Sequence, residues 1–173
     1  MSTEHVAVDR SAPNPAAPDA ESTALAFHHV GVQTADFDTS VAWYTDFFQA
    51  RVSWTLDTFA PLTLSRLPGL DKIAELVSGG LRFHLLARDG VVAGARGAEE
   101  LQYQHVCIVV SSPQELSVLR DRWYAVAHRG RYGFGPEAVP TEIVVDAEGI
   151  ESFYCLDPNG LEYEFTYVPG AVT

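Results

Sequence analysis

The feature that most constrains this chain is an order of hydrophobic patterns that occurs twice. Ala26–Gln33 (AFHHVGVQ) reads as a buried strand. It is followed by a helix on which Phe37, Val41, Tyr44 and Phe48 fall on one face at helical spacing, with Asp36 as N-cap. Arg51–Asp57 alternates as a strand should, and Thr58–Asp71, with its two prolines, reads as a loop. Ile73–Val77 and Leu81–Ala87, separated by Gly79 and Gly80, read as a hairpin. After a connector the order starts again. Gln104–Val110 is a strand, and a helix opens at Ser112 and Pro113, with Glu115 completing a capping box and Leu116, Leu119 and Trp123 on its apolar face. Three strands follow, Thr141–Val145, Glu151–Leu156 and Leu161–Tyr167, with Asp157-Pro158-Asn159-Gly160 as the turn before the last. Each half is β-α-β-β-β.

A register comes with the repeat. His29 and His105 each open the first strand of their half, while His84 and Glu164 each sit in the last, at nearly equal offsets. If a pseudo-twofold relates the halves, these four side chains converge. The expected architecture is α+β: two paired βαβββ modules whose eight strands form a curled mixed sheet around a pocket, with helices outside. Module one spans about 24–90 and module two about 101–168, within one domain at 24–173. Residues 1–23 hold almost no bulky apolar side chains, cannot offset the entropy of ordering, and read as a disordered leader.

Composition narrows the function. Of the 173 residues, 11 are Lys or Arg and 23 are Asp or Glu, a net charge of −12 that opposes a nucleic-acid partner or an anionic membrane surface. No apolar run approaches the length of a membrane span. Two cysteines without close spacing, Cys107 and Cys155, fit a reducing cytoplasm better than a disulfide framework.

The stretches HHVGVQTADFDTSVAWYTDFF, QHVCIVV and FYCLDPNGLEYEF resemble the vicinal oxygen chelate superfamily, which includes glyoxalase I, extradiol dioxygenases, methylmalonyl-CoA epimerase and the fosfomycin and bleomycin resistance proteins. The resemblance implies metal ligands at His29, His105 and Glu164. Two imidazoles and a carboxylate suit a divalent ion, with Fe(II) favoured and Mn, Co, Ni or Zn also accepted. His84 stands where relatives carry a further ligand. It reads as that ligand, as an acid or base beside a three-ligand ion, or as pocket wall. Asp146 stands where ring-cleaving relatives have their acid–base histidine, and a carboxylate there suits a general base. Trp54, Arg82, Phe134 and Tyr154 are candidate walls of a substrate pocket. His28, by strand alternation, faces away from His29, and Cys107 reads as a small buried filler on the His105 side. The implied function is a metal-dependent enzyme that chelates two neighbouring oxygens of a small organic substrate. A dioxygenase-like reaction comes first. The alternatives are an isomerase, epimerase or lyase, or a metal-free antibiotic-binding protein. The resemblance also implies a homodimer.

Overall fold

The computed structural model describes residues 27–92, 105–134 and 138–170. The leader expected at 1–23 and most of the connector lie outside them. Module one runs β1 (Val30–Thr34), α1 (Phe37–Phe47), β2 (Arg51–Leu56), α2 (Pro61–Arg66), β3 (Leu70–Ser78) and β4 (Leu81–Arg88). Module two runs β5 (Val106–Val110), α3 (Pro113–Ala127), β6 (Val144–Val145), β7 (Glu151–Leu156) and β8 (Glu162–Tyr167). The β-α-β-β-β order is present in both halves. One helix is added: Pro61 at the first helical position, where its missing N–H costs nothing, opens α2 inside the stretch expected to be a loop.

The strands form two four-stranded sheets, ordered β1-β4-β3-β2 and β5-β8-β7-β6, and the sheets are not closed. The outer strand of each module pairs parallel with the last, and the rest is antiparallel. This places the two halves in the same register. His84 lies between Gly31 on β1 and Glu75 on β3, and Glu164 lies between Cys107 on β5 and Tyr154 on β7. His29 and His105 each stand two residues before their β1 or β5 member of that row.

Strand alternation divides each sheet into a helix-facing side and an open side. Phe83 and Leu85 of β4, and Tyr163 and Phe165 of β8, are buried in the core with Trp43, Tyr44 and Phe47 of α1 and Leu116 and Trp123 of α3. Arg82, His84, Glu162 and Glu164, one step out of phase, occupy the other side. The edge strands β2 and β6 are exposed at every residue, which leaves Val52, Trp54, Leu56, Val144 and Val145 at the surface.

The helix caps follow local chemistry. Asp36 Oδ1 accepts from Thr39 N at 3.0 Å, as an N-cap should. At α3 the capping box is displaced by one residue. Ser112 is the N-cap but its side chain makes no capping bond, and Glu115 instead takes Ser111 N and Ser111 Oγ, both at 2.9 Å. Two hydrogen bonds from one residue outcompete the single bond Ser112 could offer.

The modules are joined by the Asp157–Gly160 turn. Asp157 is 1% exposed, and its carboxylate accepts from Asn159 N at 2.8 Å, Leu161 N at 2.9 Å and the Tyr44 hydroxyl at 3.0 Å. Tyr44 also meets the Tyr163 hydroxyl at 2.7 Å. Asn159 Oδ1 accepts from Ala35 N, and its amide reaches Ser40 Oγ, so the turn of module two is latched to the start of α1 in module one. Gly160 supplies the left-handed φ of 85° that closes the turn. Among the described residues, no helix is long and apolar enough to cross a membrane.

Candidate metal centre in two halves

The open side of the first sheet carries a histidine cluster. The His29 ring stacks on His84 with centroids 3.7 Å apart and planes within 15°. Gly31, opposite His84, has no side chain to come between them. Glu75, only 3% exposed, lies 3.1 Å from His84 Nε2, and Arg82 Nη1 donates to the same carboxylate oxygen at 3.2 Å. Burial pushes Glu75 up, but hydrogen bonds from His84 and Ser53 and the Arg82 charge outweigh it and hold the carboxyl below its usual range. Glu75 is therefore an anion at neutral pH and engages His84 through Nε2, so Nδ1 is the ring nitrogen that Glu75 leaves unengaged. Trp54 stands edge-on to His84 at 5.0 Å. The His29 pKa is lowered by burial and by the neighbouring His84 and His28, so its ring is neutral and a lone pair is available.

The open side of the second sheet carries the counterpart. His105 Nε2 lies 3.1 Å from Glu164 Oε2, and His105 Nδ1 lies 3.9 Å from Glu162. The other oxygen of Glu164 accepts from the Tyr154 hydroxyl at 2.9 Å and Thr166 Oγ1 at 3.1 Å. Thr166 in turn pairs with Ser152. Burial pushes Glu164 up, and the hydrogen bonds from Tyr154, Cys107, Thr166 and Ser152 more than reverse it. The result is an ionised carboxylate with one oxygen fixed and one directed to His105. The bond to Glu164, then burial, raises the Tyr154 pKa, so its hydroxyl stays protonated.

The structure thus joins His29 to His84 and His105 to Glu164. It does not bring both pairs together in the single chain. Among the described residues, the group of three or more donors within 4.8 Å of one another is His28, His29 and His84, on the first sheet. A cavity of about 280 Å³ lies between the modules, with Val30 and Phe83 facing Val106 and Ile108, but none of the four expected ligands lines it. Its wall is largely apolar, with Arg82 and Cys107 as its polar members.

Of the expected pocket walls, Trp54 and Arg82 stand with His84 and Tyr154 with Glu164. Phe134 packs on Trp123 at 4.7 Å and on Tyr132 at 6.3 Å, over α3. Asp146 is exposed, and its Oδ1 accepts from Glu148 N and Ile150 N, both at 2.9 Å, which closes the turn between β6 and β7.

Two expectations are corrected. His28 does not face away from His29: its Nδ1 lies 2.9 Å from His29 Nδ1. Both histidines precede β1, so strand alternation governs neither. Cys107 is exposed rather than a buried filler, and partial desolvation of its thiol, then the neighbouring Glu164, raises its pKa. Glu75 was not anticipated. Its signal is the acid in the otherwise apolar run Ile73-Ala74-Glu75-Leu76-Val77.

No protein-family model matches the sequence, and neither does any curated protein. Solved structures do. A glyoxylase/bleomycin resistance protein/dioxygenase domain from Frankia sp. EAN1pec superposes with TM-score 0.66 at 18% identity, covering 87% of this chain and 96% of that one. The fosfomycin resistance protein FosX of Listeria monocytogenes gives 0.57 at 14% identity, over 84% and 94%. Another FosX structure from that organism was determined with Mn(II) and sulfate, with TM-score 0.52 at 16% identity over 84% and 93%. A lactoylglutathione lyase from Agrobacterium tumefaciens gives 0.52 at 18% identity, over 82% and 92%. At these identities the likeness is one of architecture, and it agrees with the repeat read from the residues: the chain has the fold of the vicinal oxygen chelate superfamily.

Proposed function

We propose that the chain is a metal-dependent enzyme acting on a small organic substrate through two neighbouring oxygens. The observation that carries the reading is the shared register. His84 and Glu164 hold equivalent places on β4 and β8, and His29 and His105 each immediately precede the strand, β1 or β5, that pairs with them. Neutral imidazoles and an ionised carboxylate are the donors a divalent first-row ion takes. His29, His105 and Glu164 would hold it, with His84 as the fourth donor, and Fe(II) is our first choice. When bound, the ion would orient the two substrate oxygens and stabilise charge that develops on them.

The remaining residues prepare that site. Glu75 fixes the His84 ring and its tautomer, as outer carboxylates do for ligating imidazoles. Tyr154 and Thr166 occupy one oxygen of Glu164 and leave the other for the ion. Trp54 and Arg82 border the first half. An oxygenase-type reaction on a phenol or enol leads this reading, and an isomerase, epimerase or lyase reaction is the alternative.

The halves meet, in this proposal, between two copies of the chain. The first-sheet pair of one protomer faces the second-sheet pair of its partner, and the exposed apolar residues of β2 and β6 are covered. Such a homodimer uses the exposed valines, Trp54 and Leu56 as contact surface.

The test is elemental analysis of protein purified without chelator, together with light scattering. The reading expects a dimer with about one ion per chain, and at least an about tenfold loss of metal affinity in both His105→Ala and His29→Ala. Oxygen uptake by the Fe(II)-loaded protein with catechols or enols then separates oxygenase from isomerase. A metal-free wild type that binds an aromatic antibiotic tightly would replace the enzyme reading with sequestration.

A further inference from the structure

We propose that His28 is an additional metal ligand, so that the first module offers an ion three imidazoles: His28, His29 and His84. The proposal rests on reading the first sheet as a metal half-site and adds a donor to it. One nitrogen from each ring lies within 4.8 Å of the other two. The two Nδ1 atoms of His28 and His29 are 2.9 Å apart. Two metal–nitrogen bonds of about 2.0–2.1 Å would put their nitrogens about 2.9 Å apart at the right angles of an octahedral or square-planar ion and about 3.3 Å apart around a tetrahedral one, so the pair is within a few tenths of an ångström of the spacing for one ion. The same spacing serves a hydrogen bond between neutral rings, and that is the competing explanation.

Two further observations favour the ion. Glu75 is buried and binds Nε2 of His84, which leaves Nδ1 as the donor. A carboxylate behind the ring is the usual support of a ligating imidazole. His28 and His29 are exposed, so an ion reaches them from solvent. Three nitrogens favour Fe, Ni, Cu or Zn over Mg, Ca or Mn. His28 also stands outside the β1 ladder. A substrate that chelates the ion can displace it without disturbing the sheet.

The experiment titrates Zn²⁺ calorimetrically into the full chain and into His28→Ala and His105→Ala, with thermal melts to establish folding. Should His28→Ala melt differently, His28→Gln replaces it. Electron paramagnetic resonance of the Cu²⁺ forms counts coordinating imidazoles. The proposal expects His28→Ala to bind Zn²⁺ about tenfold or more weakly, with one imidazole fewer around Cu²⁺. Wild-type affinity and an unchanged imidazole count in His28→Ala overturn it, and a loss confined to His105→Ala would leave the two-histidine, one-carboxylate reading standing without His28. A loss in His28→Ala with none in His105→Ala keeps the three-imidazole site and removes the assembled one.

Discussion

Asp157→Ala is expected to lower folding stability by about 3–5 kcal/mol, since each buried donor left without a partner costs roughly 1–3 kcal/mol and neighbouring losses do not add fully. The carboxylate is nearly inaccessible and gathers four donors: two backbone N–H groups of its own turn, the Asn159 amide and the Tyr44 hydroxyl of the other module. Truncation orphans them, and it loosens Asn159, which ties the turn to Ala35 and Ser40. Asp157→Asn keeps an acceptor and is expected to lose less than half as much. Urea unfolding of the three proteins checks both values. An Asp157→Ala midpoint equal to wild type would mean that the turn does not hold the modules together.

Phe47→Ala is expected to cost a similar about 3–5 kcal/mol, the range for deleting a fully buried phenyl ring. Phe47 is completely buried, stacks on Trp43 at 4.8 Å and meets Phe165 of β8 edge-on at 5.8 Å. Its backbone oxygen accepts from Arg122 of α3. The ring therefore fills the seam between α1 and the second sheet, and a cavity there loosens both modules. Phe47→Leu retains most of the volume and should lose roughly half as much. Thermal unfolding with enthalpy measured calorimetrically distinguishes the two. A Phe47→Ala protein as stable as wild type would place the seam elsewhere.

The parts legible in the sequence are those governed by short-range periodicity. The β-α-β-β-β order, the Asp36 cap and the equivalence of His29 with His105 and of His84 with Glu164 all follow from alternation and helical spacing, and the strand pairing reproduces them. What alternation cannot carry was missed. His28 lies before the first ladder pair, so nothing in the strand pattern orients it. Glu75 sits in Ile73–Val77, a run read only as one strand of a hairpin. Phe47 falls off the narrow stripe through Phe37, Val41, Tyr44 and Phe48, because a helix wedged against two modules buries a wider face than one lying on a single sheet. Whether eight strands join edge to edge depends on hydrogen bonds between outer strands, and no residue pattern encodes those; here they form two sheets.

The candidate site was legible as residues and illegible as an assembly. Each half is held by contacts within one sheet, Glu75 behind His84 and Tyr154 behind Glu164. In the proposed dimer their union depends on a second surface, which the amino-acid order of one chain does not display.

Diffraction from crystals of the Zn-loaded protein, recorded on both sides of the zinc absorption edge, tests that union most directly. An anomalous peak bounded by His29 and His84 of one protomer and by His105 and Glu164 of its partner is the predicted result. Zinc bound at a place that touches neither pair, or the two pairs of a fully loaded crystal remaining apart with no ion between them, would contradict it.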